Sequence, residues 1–130
     1  MEDLLVLNQE EDQQTCPVVI CDRKAGTCRI EGLSFMENSR KFYKPIIDWI
    51  SEFIESGTLP FHLHLKVSYL NSSSAKIFFD LFAKLKDYKS QGKVVTAEWH
   101  YAYFDDEIEE DIDDMIYESE FDIKKVPYNK

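Results

Sequence analysis

Phe61-His-Leu-His-Leu-Lys-Val-Ser-Tyr-Leu70, followed at once by Asn71-Ser-Ser-Ser74, is the stretch on which the fold turns. Phe61, Leu63, Leu65, Val67 and Tyr69 alternate with His62, His64, Lys66 and Ser68, which predicts a strand with one apolar and one wetter face. The hydroxyl-rich turn leads into a helix from about Ala75, with Phe78, Phe79, Phe82 and Leu85 at helical spacing, and Gln91-Gly92 stops it. A strand passing through a short turn into an amphipathic helix is half of a crossover unit, so parallel pairing is expected.

The flanking segments extend this pattern. Upstream, Glu37-Asn-Ser39 supplies a helix cap, and Phe42, Ile46, Trp49, Ile50 and Phe53 form an apolar stripe that ends at Gly57 and Pro60. Pro45 removes a donor inside that stripe, so either a kink there or a regular helix starting near Lys44 is expected. Earlier still, Pro17-Val-Val-Ile-Cys21 and Thr27-Cys-Arg-Ile-Glu31 flank Asp22-Arg-Lys-Ala-Gly26, a hairpin pattern whose second strand Gly32 should close. Downstream, Lys93 to Tyr101 alternates as a strand. Ile108, Ile112, Met115 and Ile116 then stripe an acidic helix over 105–118, and a last strand covers about 121–126. The expected fold is α/β: one domain, a mixed sheet with an N-terminal β-hairpin, and three helices mainly on one face. Residues 1–15 read as a flexible acidic arm or an edge strand, 16–126 as the domain and 127–130 as a tail.

The chain has 130 residues, long enough for a core without metal or disulfides. Its net charge is −10, from 15 Lys+Arg against 25 Asp+Glu, which argues against nucleic acid and anionic lipid as partners and favours other proteins. Solubility alone also accounts for such acidity. Cys16, Cys21 and Cys28 have no CxxC spacing and read as reduced thiols. With neither a signal-peptide pattern nor a membrane-spanning run, a soluble cytoplasmic protein is expected.

Enzyme motifs are absent: there is no GxGxxG, P-loop or GxSxG, and only four glycines. His62 and His64 share a strand face in metal-ligand fashion, but no third and fourth ligand is evident, so no metal and no cofactor is assigned. Eleven carboxylates lie between Asp105 and Asp122, read as a solvated helix face or as a docking surface for a basic partner. The turn at Tyr69-Leu-Asn-Ser-Ser-Ser74 has two readings. Ser72 or Ser73 is simply a helix N-cap, or the turn presents a hydroxyl where a helix N-terminus tolerates a phosphoryl group.

Four segments together resemble a family. Glu31-Gly-Leu-Ser-Phe-Met-Glu-Asn-Ser39, Ile47-Asp-Trp49, Tyr69-Leu-Asn-Ser-Ser-Ser74 and Trp99-His-Tyr101 have the order and spacing of bacterial SiaC-like regulatory phosphoproteins. The resemblance covers nearly the whole domain and implies a fold similar to the STAS-type anti-sigma-factor antagonists. It further implies a non-enzymatic switch. A partner protein kinase phosphorylates a hydroxyl at the strand-to-helix turn and a PP2C-type phosphatase removes it. The unphosphorylated form activates a diguanylate cyclase, in c-di-GMP and biofilm signalling. The family acceptor is a Thr in a Leu-Asn-Thr-Ser-Ser setting; it falls on Ser72, a departure in residue type, with Ser73 and Ser74 as neighbouring alternatives. Asn71, Ser73, Tyr69, Lys76 and Asn38 are the expected partner-binding residues. The competing reading is a constitutive acidic adaptor in which Ser72 is only a cap.

Overall fold

The structure, a computed structural model, describes residues 3–8 and 15–129. Strands β1 (Leu4–Leu7), β2 (Val18–Asp22) and β3 (Thr27–Ser34) come first. They are followed by α1 (Ser39–Glu55), β4 (Phe61–Leu70), α2 (Ser72–Ser90), β5 (Val95–Ala102), α3 (Asp106–Ser119) and β6 (Ile123–Tyr128). The six strands lie side by side in chain order. The first three are antiparallel, and every pairing from β3 to β6 is parallel. Three crossovers that each step one strand in the same direction, all of the usual right-handed kind, must place their helices on the same side of the sheet. Sheet residues such as Ile30, Leu63, Leu65 and Trp99 accordingly pack beneath Ile46, Ile50, Phe78, Phe82 and Ile112 of the helices. The opposite sheet face carries Arg29, His62, His64, Lys66, Glu98 and His100 and is left uncovered among the described residues.

Several expectations are corrected. Helix α1 starts at Ser39, capped by Asn38, and runs through Pro45, which lies on its exposed side, where water can hydrate the carbonyl that loses its donor. Tyr43, outside the predicted stripe, is buried, whereas Phe42 is only half-buried. In α2, Leu81 and Tyr88 join the buried face and Phe79 is half-buried. Gly32 does not close β3. The strand continues to Ser34 across a register shift at Gly32/Leu33, after which Leu33 pairs with Tyr69 and Ser34 with Leu70. The extra residue in β4 is Ser68, and it reverses the alternation: Leu70 turns inward and Tyr69, predicted inward, is exposed. β1 is the edge strand, and β6 runs to Tyr128, so Pro127 and Tyr128 belong to the sheet and not to a tail. The arm expected for residues 1, 2 and 9–14, and the terminal Lys130, lie outside the described residues. Cys21 and Cys28 are cross-strand partners on β2 and β3 with their sulfurs in contact, and Cys16 stands apart from them as a free thiol.

Trp99 decides how the sheet opens. The β4–β5 ladder ends at Leu65↔Trp99, and beyond it the indole Nε1 of Trp99 donates to the Val67 carbonyl at 3.0 Å. The fully buried ring also packs on Phe78 and Phe82, with centroids 5.7 and 6.2 Å away. A side chain therefore replaces the missing ladder bond where β4 peels away to follow β3. Trp99→Phe should lower unfolding stability by about 2 kcal/mol, from an orphaned buried carbonyl plus lost volume. Urea denaturation measures this, and a loss below about 0.5 kcal/mol would remove Trp99 from this role.

Candidate functional site

Where β4 ends, one side chain organises the turn. Asn71 adopts extended backbone angles (φ −78°, ψ 173°) as the N-cap of α2, and its Oδ1 accepts from the Ser74 backbone N–H at 2.9 Å. Its Nδ2 donates to the Met36 carbonyl at 2.9 Å, and its backbone N–H donates to the Ser34 carbonyl at 3.0 Å. The cap is thus Asn71; Ser72 and Ser73, the expected caps, are the first two residues of the helix. Their backbone N–H groups point out of the helix end, the position where a dipole favours negative charge, and the first turn holds no acidic residue.

The three serines have different environments. Ser74 is fully buried in a hydroxyl chain: Tyr43 OH and Ser34 Oγ are 2.6 Å apart, Ser34 Oγ donates to Ser74 Oγ at 2.7 Å, and Ser74 Oγ points to Met36 Sδ at 3.6 Å. Burial pushes the Tyr43 phenol well above its ordinary range, so it serves this chain as a neutral donor. Ser73 is exposed, but its hydroxyl donates to Asn71 Oδ1 at 3.3 Å. Ser72 is exposed, and among the described residues its hydroxyl has no hydrogen-bond partner. Ser72 therefore offers an accessible nucleophilic oxygen, while the Ser74 hydroxyl is inaccessible in the folded state.

Around the turn, the outward rotation of Tyr69 creates an apolar surface. Its ring stands edge-on to Phe35 at 5.5 Å, with Leu33 alongside on β3, and Phe35 is 53% exposed. Tyr103 and Phe104, also exposed, follow the end of β5 at the same end of the sheet. Lys76 sits one turn beyond Ser72, exposed, beside a cleft of about 350 Å³ that it lines with Asp111 and Asp114 of α3. Asn38 is set apart from this group. It caps α1, accepting from the Lys41 N–H at 3.1 Å, and borders a groove of about 480 Å³ with Met36, Phe42 and Pro45. The structure therefore gathers Tyr69, Asn71, Ser72, Ser73 and Lys76 at one turn and links Asn38 to it only through Met36. Phe35, Ser34 and Tyr43 were not singled out from sequence, although Phe35 stands inside the Glu31–Ser39 motif as an apolar residue at a strand end.

On the uncovered face, β5 supplies what the sequence reading of His62 and His64 lacked. Glu98 pairs in register with His64, and His100 follows two residues later on the same side. Glu98 is contacted by His62 Nε2 at 2.8 Å, His64 Nδ1 at 3.4 Å and His100 Nε2. The His100 hydrogen bond, reinforced by that of His62, holds the Glu98 carboxyl down to about 2 against the opposing effect of burial. The signal existed in the alternation of both strands; the register that joins them did not.

The chain is similar to SiaC of Pseudomonas aeruginosa, at 26% identity and a TM-score of 0.84 over all of both chains. It is also similar to a chain in the crystal structure of the diguanylate cyclase SiaD in complex with its activator SiaC from the same organism. That match has 27% identity and a TM-score of 0.87, and covers 95% of this chain and 99% of that one. An uncharacterised protein of Pseudomonas aeruginosa strain UCBPP-PA14 is 35% identical over 88 residues, 68% of this chain and 70% of the relative. A family model described as the SiaC family regulatory phosphoprotein matches residues 10–128, and the chain belongs to that family of regulators, which are not enzymes.

Proposed function

We propose that this protein is a cytoplasmic switch in which phosphorylation of Ser72 controls docking to a diguanylate cyclase. The observation that carries the proposal is the contrast within the Ser72–Ser74 run: one hydroxyl is exposed and unpartnered, one is tied to the cap, and one is buried. A kinase needs a reachable oxygen whose modification leaves the fold intact, and Ser72 meets both conditions. A phosphoryl group there would lie against the unpaired N–H groups of the α2 terminus, with Lys76 four residues on at helix-neighbour spacing. The fold should therefore tolerate it, at a net effect of about 1 kcal/mol or less.

Docking should not tolerate it. Phe35, Tyr69 and Leu33 border the turn, so a partner seated on them must strip water from whatever Ser72 carries. Desolvating an unpaired dianion costs several kcal/mol, and about 2.7 kcal/mol already changes affinity a hundredfold. The relative SiaC, which is bound as the activator of the cyclase SiaD, supports the choice of effector class. A protein kinase and a PP2C-type phosphatase complete the cycle in this proposal, and a kinase docking on the same turn would exclude the cyclase. Tyr69, Asn71, Ser73 and Lys76 shape the docking surface, with Asn38 at its margin.

Fragment mass spectrometry of protein isolated with phosphatases inhibited should place the phosphoryl group on Ser72. Ser72→Ala should bind a diguanylate cyclase constitutively, and Ser72→Asp should bind at least tenfold more weakly, both with near-parental melting temperatures. Cyclase binding by both variants equal to that of the parent would end the switch reading.

The constitutive adaptor reading rests on α3, whose first turn alone holds Asp106, Glu107 and Glu109. Ionic strength separates the two. Raising salt from about 0.1 M to about 1 M shortens the screening length from about 10 Å to about 3 Å. Docking through the Phe35–Tyr69 surface should weaken by less than about threefold over that range, as measured by calorimetry. A loss of a hundredfold or more would shift the interface to α3.

A further inference from the structure

The uncovered sheet face holds a cluster of histidine and carboxylate side chains. His64 on β4 and Glu98 and His100 on β5 each present one donor atom, and these atoms all lie within 4.8 Å of one another. The Glu98 Oε2 lies between the two imidazoles, 3.4 Å from His64 Nδ1 and in contact with His100 Nε2. Two ligands on a tetrahedral zinc at about 2.0–2.1 Å each are roughly 3.3 Å apart, so the first separation already fits, while the second is a direct hydrogen bond that a metal must replace by moving the two side chains apart. The imidazole rings face one another at 4.5 Å between centroids, both on the same side of adjacent parallel strands. All three side chains are partly accessible, at 14–25%, and no described element covers them.

We propose that His64, Glu98 and His100 form a site for a divalent transition metal of the zinc class, with its fourth coordination position open. Two imidazoles and one carboxylate suit zinc and its neighbours better than calcium or magnesium, which prefer all-oxygen shells. A three-ligand set with a vacant position takes water or a donor from a partner, in contrast to a closed structural site. His62 acts as the orienting residue: its Nε2 holds the other carboxylate oxygen, Oε1, at 2.8 Å, while its Nδ1 is fixed by Thr96 Oγ1 at 2.7 Å. The charged neighbours are Arg29, Glu31, Lys66 and Lys124. Arg29 Nη2 lies 3.4 Å from His64 Nε2, the nitrogen away from the site. Binding through Nδ1 places the proton on that Nε2, so Arg29 must turn fully to Glu31, to which it is already paired at 3.4 Å. The site is independent of Ser72, which lies at the end of the sheet and on the helical side.

The test uses the full chain prepared without a histidine tag and stripped with a chelator. Titration with Zn²⁺ by calorimetry should give one equivalent at micromolar or tighter affinity. Co²⁺ should bind in the same place, with the intense visible bands of four- or five-coordinate cobalt. His64→Gln and His100→Gln, on an exposed face and checked for folding by circular dichroism, should each weaken binding more than tenfold. His62→Ala should weaken it about tenfold with unchanged stoichiometry. Absence of stoichiometric Zn²⁺ binding overturns the proposal. So does binding that survives the His64→Gln/His100→Gln double variant, which would assign the metal to the acidic surface of α3.

Discussion

Asn71 is the constraint from which the working end of this molecule follows. Its side chain and backbone together satisfy a donor at the start of α2, the Met36 carbonyl and the Ser34 carbonyl, so two segments far apart in sequence, 34–36 and 71–74, meet at one residue. An N-cap of this kind contributes about 1 kcal/mol, and each further tie about as much. The hydroxyl chain Tyr43–Ser34–Ser74 sits directly beneath and pins α1, β3 and α2 to one another. Because these groups consume the polar capacity of the turn, the hydroxyl left over is that of Ser72. Its exposure is a consequence of how fully its neighbours are used.

Chain-ordered strands with one-sided crossovers divide the surface by topology. The helices cover one face and leave the strand ends and the opposite face as separate places for interaction. At the strand ends, Phe35, Tyr69, Tyr103 and Phe104 are exposed because the parallel strands stop there and nothing packs over them among the described residues. On the open face, parallel pairing of β4 with β5 brings His64 beside Glu98. One architectural decision therefore accounts for both the apolar surface at the strand ends and the histidine–carboxylate cluster, and keeps them apart.

Most of the fold was legible because apolar periodicity reports which residues face the core. The strict alternation of Phe61 to Val67 and the stripes of α1 and α2 needed no tertiary knowledge. What was illegible depended on long-range partners. The outward turn of Tyr69 comes from one extra residue, Ser68, opposite β3, and no local pattern encodes a bulge whose cause is the register of another strand. Helix α1 passes through Pro45 because a solvent-facing turn can lose one hydrogen bond when Asn38 caps it and Ile46, Trp49 and Ile50 pack it down. The turn at residues 69–74 was visible as a candidate site, yet assigning the cap to Asn71 required knowing that Met36 and Ser34 stand beside it. Glu98 and His100 were in plain view on an alternating strand, but only the β4–β5 register makes them neighbours of His62 and His64.

The position of Ser72 separates the energetics of modification from those of folding. A charge placed at the first residue of a helix meets a favourable dipole and stays in water, so the folded state changes little. The same charge beneath a docked partner would lose its water, and the rim of Leu33, Phe35 and Tyr69 offers no cation to compensate it. Lys76, four residues on, is placed to pair with it, and that lysine already lies beside the carboxylates of α3. In the proposed switch, the asymmetry between the two costs would let a small covalent mark change an interface by orders of magnitude while leaving the scaffold unchanged. Moving the acceptor two residues along, to the buried Ser74, would reverse that asymmetry, because a dianion there would break the hydroxyl chain that holds the scaffold together.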